Sequence, residues 1–205
     1  MSSSYGDIII SEVDPSGSGT ATYAADFFEL TNTGSTAVNI AGWKMDDNSN
    51  AFATAVPLRG VGSIAAGQSV IFLEGTADGS TDATIQSNFK SAWFGSNVPA
   101  SLVLAGYGGS GVGLGTGGDA VNIFNAGGTL ITRVDFGSAT TGVTFDNALG
   151  LNNVTLTTLS TAGVNGAFLS PTGEIGSPGT IPEPGTLLAV AFAGVGLMLR
   201  RRRTL

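Results

Sequence analysis

The sequence predicts an all-β fold, a sandwich of short strands with one short helix, followed by a single hydrophobic helix at the C-terminus. Three observations lead there. Short apolar or alternating runs are separated by Gly, Asn, Asp and Ser at the spacing of a β-sandwich, and the chain holds 32 glycines among 205 residues. Residues Ile85, Phe89, Ala92 and Trp93 fall at i, i+4, i+7 and i+8, the spacing of one amphipathic helix. From Gly185 to Leu199 no residue is charged, and Arg200, Arg201, Arg202 and Arg203 follow at once.

Asp7 to Val13 reads as the first strand, and Asp14-Pro15-Ser16-Gly17-Ser18-Gly19 as a turn. Phe27 to Thr31 alternates, with Phe28 and Leu30 on one face and Phe27 and Glu29 on the other. Asn32 to Ser35 turns the chain, and Val38 and Ile40 lead into Gly42-Trp43-Lys44-Met45. Val56–Leu58 and Val61–Ile64 are short strands, and Ser69–Glu74 is a central, buried one. The helix over 85–94 stops at Gly95, and Leu102–Ala105 is a further strand. Asp119–Asn125 and Thr129–Phe136 form a hairpin around Ala126-Gly127-Gly128. Beyond Gly137 only Val143–Phe145 and Val154–Leu156 stand out, as edge strands. The expected organisation is a disordered start over 1–6, a domain over 7–175, a linker over 176–181 and a tail over 182–205.

Charge and composition exclude several function classes. Four of the eight basic residues are the terminal arginines, so residues 1–180 carry Lys44, Arg59, Lys90 and Arg133 against fourteen acids, a net of about −10. Nucleic-acid binding needs a basic footprint and is not expected. With no histidine, most catalytic triads and zinc sites are ruled out. With no cysteine, the core alone must hold the fold.

Four patterns in the chain bear on chemistry. Gly113-Leu114-Gly115-Thr116-Gly117-Gly118 satisfies G-x-G-x-x-G, but a strand pattern follows where a dinucleotide site needs a helix. Asp46, Asn48 and Asn50 place oxygen ligands at the start of a calcium-loop pattern, yet Ala51 and Pro57 stand where an EF-hand needs Gly and Glu. Calcium is the single candidate ion; the competing expectation is an Asx-rich turn, no cofactor and no metal. Glu12, Asp14, Asp26 and Glu29 lie on two strands expected to pair. They are read as a solvated acidic edge, with paired-carboxylate glycoside hydrolysis as the enzymatic alternative. Trp43 and Trp93 were weighed as sugar platforms, and Trp43 is expected to pack in the core.

The tail has its own physics. Fifteen uncharged helical residues reach roughly 22 Å, short of a bilayer core of about 30 Å unless the arginines snorkel and the bilayer thins. Clustered positive charge stays cytoplasmic, which places the rest of the chain across the membrane. Pro182-Glu183-Pro184, the apolar run and the Arg200–Arg203 cluster together resemble the PEP-CTERM sorting signal of Gram-negative, exopolysaccharide-producing bacteria. That resemblance implies recognition by exosortase, a membrane protease-transpeptidase. It also implies an inner-membrane precursor and delivery to the cell surface or extracellular matrix. Residues 1–7 show no basic n-region, apolar h-region or cleavage site, so the expectation is that an export signal is missing from the start.

The order of elements resembles the lamin-tail domain, an immunoglobulin-like β-sandwich. Ile9-Ile10-Ser11-Glu12-Val13 opens it. Asp26-Phe27-Phe28-Glu29-Leu30-Thr31-Asn32-Thr33-Gly34 is similar to the family's E-F-x-E-L-x-N-x-G strand and turn. Val38-Asn39-Ile40-Ala41-Gly42-Trp43 is similar to its v-x-L-x-G-W strand, and Ile64 to Val70 to its l-x-x-G-x-x-v turn. Gly118 to Ile123, Gly128 and Val134-Asp135-Phe136-Gly137 complete the resemblance. It departs over Ala77–Gly117, which is longer and richer in glycine. The family implies a binding or scaffolding module without a shared catalytic site. The expected function is therefore a non-enzymatic, exported module acting on exopolysaccharide or an envelope protein. A calcium-dependent adhesion module and a small glycan hydrolase are the alternatives.

Overall fold

The structure, a computed structural model, describes residues 8–180. Its elements are β1 (Ile8–Asp14), α1 (Gly17–Thr20), β2 (Phe27–Asn32), β3 (Val38–Asn39), β4 (Lys44–Asp46), β5 (Val56–Pro57), β6 (Ser63–Ile64) and β7 (Ser69–Gly75). They continue with α2 (Asp82–Phe94), β8 (Leu104–Gly108), β9 (Asp119–Phe124), β10 (Leu130–Phe136), β11 (Phe145–Asp146), β12 (Val154–Leu156), β13 (Phe168–Leu169) and β14 (Ile175–Gly176). One sheet runs β11-β1-β2-β7-β8 and the other β12-β10-β9-β4-β5. All pairings are antiparallel except β7 with β8 and β10 with β12.

The two sheets share one core. Ile8, Ile10, Val13, Phe28, Leu30, Val70 and Phe72 from the first meet Met45, Val121, Ile123, Val134 and Phe136 from the second. Phe28 stacks on Phe72 at 5.3 Å between ring centroids, a geometry that adds to burial of the rings themselves. Trp43 is buried in this core. The arrangement is mostly β and consistent with an immunoglobulin-like sandwich.

A bulge in β1 decides what faces the core. Ile8 and Ile10 point inward, and strict alternation would send Glu12 after them. The register shifts between Ile10 and Glu12, so Val13 turns inward and Glu12 comes opposite Glu29. The inserted residue thus keeps a carboxylate out of the apolar core by moving it to the other face. On that outer face Phe27, Ile71 and Leu73 build a second cluster with Tyr23, Phe89, Ala92 and Trp93, so α2 packs across the sheet.

Two expectations about elements change. The stretch read as a turn at 14–19 contains the helical turn α1, giving two helices among the described residues. Its glycines and serines have little helix preference, and Asp26 holds it by accepting the Ser18 amide at 2.8 Å. The expected linker at 176–181 is, through Thr180, part of the fold. Gly176 closes the β13–β14 pair, and Ser177 and Pro178 are buried. The expected C-terminal helix lies outside the described residues; among those described, no helix is long and apolar enough to cross a membrane.

Candidate functional site

The outer face of the first sheet carries the side chains with the most unusual surroundings. Glu12, Asp14, Asp26 and Glu29 are 0 to 2 % exposed. The expectation of a solvated acidic edge is therefore corrected. The bulge turns Glu12 to this outer face, but α2, the 15–26 segment and the C-terminal segment lie over it.

Glu12 Oε1 accepts the Thr144 hydroxyl at 2.6 Å and the Ser177 amide at 2.6 Å, while its Oε2 is buried without a partner. Glu29 Oε1 accepts the Ser11 hydroxyl at 2.7 Å, and its Oε2 accepts the Gly179 amide at 2.5 Å. Behind Glu29 runs a hydroxyl chain, Ser11 to Thr31 at 2.8 Å and Thr31 to Ser69 at 2.6 Å. Burial pushes the Glu12 carboxyl up to about 8, and the nearby Glu29 charge adds to the shift. Burial likewise raises Glu29 to about 7 against the pull of its hydrogen bonds. A bare ionised oxygen at Glu12 Oε2 would be an uncompensated buried charge, so the neutral acid is the favoured form.

A second group adjoins the first. Tyr23 Oη lies 3.1 Å from Asp14 Oδ2 and 2.8 Å from Glu174 Oε1. One phenolic hydrogen can serve only one of the two carboxylates. The other contact requires a proton on a carboxyl group, and burial raises both Asp14 and Glu174 accordingly. Asp14 also accepts the amide and hydroxyl of Ser16, and Glu174 the hydroxyl of Thr172. Asp26 is raised to about 7 by burial, with the neighbouring Glu74 charge contributing. Glu174 borders an open cleft rimmed by Thr20, Thr22, Thr141 and Thr172; no second carboxylate lines it.

The C-terminal segment reaches this face through two glycines. A Cβ at Gly176 would stand 2.7 Å from Glu12 Oε1 and 2.8 Å from Trp93 Cη2, so only glycine lets the backbone pass. Gly179 has φ +75° and follows Pro178, and the Thr180 amide closes the turn on the Ser177 carbonyl at 2.9 Å. Pro then Gly at the two central positions is the chemistry of a type II turn. The turn presents the Gly179 amide to Glu29.

Other expected site residues are placed differently. Asp46 is fully buried. Its Oδ2 accepts Ser49 Oγ at 2.6 Å and the Ala51 amide at 2.7 Å, and its Oδ1 accepts Thr54 Oγ1 at 3.0 Å. Asn48 donates its amide to Asp119, and Asn50 takes a positive φ and donates its amide to the Asp47 carbonyl. The loop is organised by its own donors around Asp46, and among the described residues no three Asp or Glu gather as a metal site. Gly118 leads into β9, so the G-x-G-x-x-G stretch joins two strands. Trp93, on the buried side of α2 against Phe27 and Phe168, offers no sugar platform. Pro182, Glu183, Pro184 and Arg200–Arg203 lie outside the described residues.

Comparison with known families decides the relationship. Residues 1–138 match the family model of the Lamin Tail Domain, about two thirds of the chain. The chain belongs to the lamin tail domain family. Residues 180–203 match the PEP-CTERM protein-sorting motif, which contains Pro182-Glu183-Pro184 and the four arginines. That motif marks an exported protein processed at the membrane by exosortase. Among curated proteins none matches the chain. Between the two matches lie residues 139–179, and these bring Thr144, Ser160, Glu174, Ser177 and Gly179 onto the acidic face of the lamin-tail sheet.

Sequence reading missed Tyr23, Glu174 and the amides of Ser177 and Gly179. A backbone amide leaves no mark on a residue's identity. The one local signal is Ser177-Pro178-Gly179, a turn-forming run inside the expected linker.

Two outcomes are expected. Glu12 and Glu29 titrate higher in the folded chain than in the unfolded one, so their stabilisation is complete below about pH 4.5 and is lost as pH rises through about 7 to 8. The urea midpoint should accordingly fall between pH 5 and pH 9, and Glu12→Gln should flatten that fall. Asp46→Ala should cost about 2 kcal/mol, the loss of a buried charged acceptor, equally in chelator and in calcium. A wild-type melting temperature that rises with calcium, and no longer does so in Asp46→Ala, would restore the metal reading.

Proposed function

We propose that this protein is a non-enzymatic lamin-tail module that is sorted to the cell surface, where it binds or organises exopolysaccharide or another component of the envelope. The observation that carries this reading is the join at residue 180. The sorting motif begins there, directly after the segment that packs on the lamin-tail sheet. The match to the lamin-tail family and the match to the delivery signal thus follow one another along the chain.

The acidic, weakly basic domain supports the reading, since it suits a soluble module that does not adhere to nucleic acid. The placement of the carboxylates supports it too. Glycoside hydrolysis needs two carboxyl groups on either side of an accessible bond. Glu12 and Glu29 are sealed under the C-terminal segment, and Glu174 stands alone at its cleft. These groups therefore serve the fold, and the module acts through its surface.

Fractionation of the native host with an antibody to the domain, comparing the intact protein with Glu183→Ala, tests the delivery. The wild type should appear outside the cell at reduced mass, and the variant should stay full-length in the inner membrane. Wild type and variant together in the cytoplasm would overturn the proposal.

A further inference from the structure

The carboxylates that seal the sheet also hold the last residues before the sorting motif. Glu12 takes the Ser177 amide and Glu29 the Gly179 amide, at 2.6 and 2.5 Å. Gly176, Ser177 and Pro178 are buried between them. Thr180 then lies over Gly166, where a Cβ would come within 2.3 Å of its methyl. Pro182 is three residues beyond Gly179, and a chain extends at most about 3.5 Å per residue. The first residue of the motif can therefore lie at most roughly 10 Å from a backbone atom fixed on the sheet.

Peptide-cutting enzymes grip an extended stretch of chain and pair with its backbone, in the manner of an added strand. On the N-terminal side of this motif that backbone is already in use. We infer that Glu12 and Glu29 are positioning residues for the sorting reaction: they clasp residues 176–180, just before the motif, to the sheet, and oblige the membrane protease to strip this clasp before it grips the chain. The inference rests on the exosortase reading of the tail.

The clasp has the character of a contact that opens on its own. It is held by two backbone amides and one turn, and segments held by few bonds open at low cost. Its two acceptors sit on neighbouring strands at the bulge, so the same insertion that keeps Glu12 out of the core aims it at Ser177. Glu29 is the better handle, because its second oxygen is bound to Ser11 independently of the clasp.

The test follows precursor processing over time in the native host for the full chain and four variants, with hydrogen exchange of the Ser177 and Gly179 amides in the purified full-length chains. In the wild type both amides should be protected. Glu29→Ala should expose the Gly179 amide and speed processing roughly three- to tenfold, the effect of one lost backbone hydrogen bond to a side chain. Glu29→Gln keeps a carbonyl oxygen for that amide and should process at the wild-type rate. A flexible Gly/Ser spacer of about ten residues after Thr180 adds roughly 17 Å of reach; it should leave the amides protected and still speed processing. Because the spacer leaves every contact of the fold in place, it decides the matter if Glu29→Ala fails to fold. Unprotected amides in the wild type, or a spacer variant processed at the wild-type rate, would overturn the clasp. Equal persistence of wild-type and Glu183→Ala precursors would instead overturn the sorting reading, and the clasp's role with it.

Discussion

The acidic outer face of the first sheet is the constraint on which the rest of the structure depends. The bulge at Ser11 turns Glu12 away from the apolar core and sets it against Glu29. Two carboxyl groups side by side in water would repel each other mildly. Here they are covered, and covering them requires a neutral state, a set of donors, or both. The chain supplies hydroxyls from Ser11, Thr31 and Thr144 and amides from Ser177 and Gly179. Among the described residues no arginine or lysine pairs with them; the ion pairs there join Arg59 to Asp82 and Arg133 to Asp135. The face is thus assembled from hydrogen bonds and protons rather than from opposite charges.

This choice has consequences for the whole molecule. The formal charge of −7 at pH 7 assumes that every carboxyl is ionised. With Glu12 at about 8 and Asp26 and Glu29 at about 7, the folded chain is less negative than its composition states. It also gives residues 139–180 a structural task. The lamin-tail match ends at 138 and the sorting motif starts at 180, yet the segment between them forms the cover. Domain and tail are joined by the part of the chain that seals the sheet, so delivery and folding meet at the same few residues.

The strands were legible wherever one side chain face met the core and the other met something polar. β1, β2, β7 and the β9–β10 hairpin fall where alternation and the Asn125–Gly128 turn put them. α2 begins three residues earlier than its apolar pattern, because Asp82 is fixed by Arg59 rather than by burial. The bulge was invisible, since it depends on the partner strand's register. The region after Gly137 was poorly legible for a physical reason. Its strands are two or three residues long, too short to show a period, and it is held by turns and hydroxyls. Without that region in view, a polar sheet face reads as a wet one. Asp46 was ambiguous for a similar reason: an oxygen-rich loop suits a cation or its own amides equally well on paper, and only the folded backbone shows Ser49, Ala51 and Thr54 turned toward it.

The state of the two central carboxyl groups is the most direct measure of whether the face is sealed. Carbon-detected NMR of the side-chain carboxyls of Glu12 and Glu29, followed across pH, reads that state at each residue. A sealed face predicts that both are still protonated at pH 6, with midpoints near 8 and 7. Ordinary midpoints near 4.5, with both groups ionised by pH 6, would mean that water reaches the face and that the C-terminal segment does not cover it.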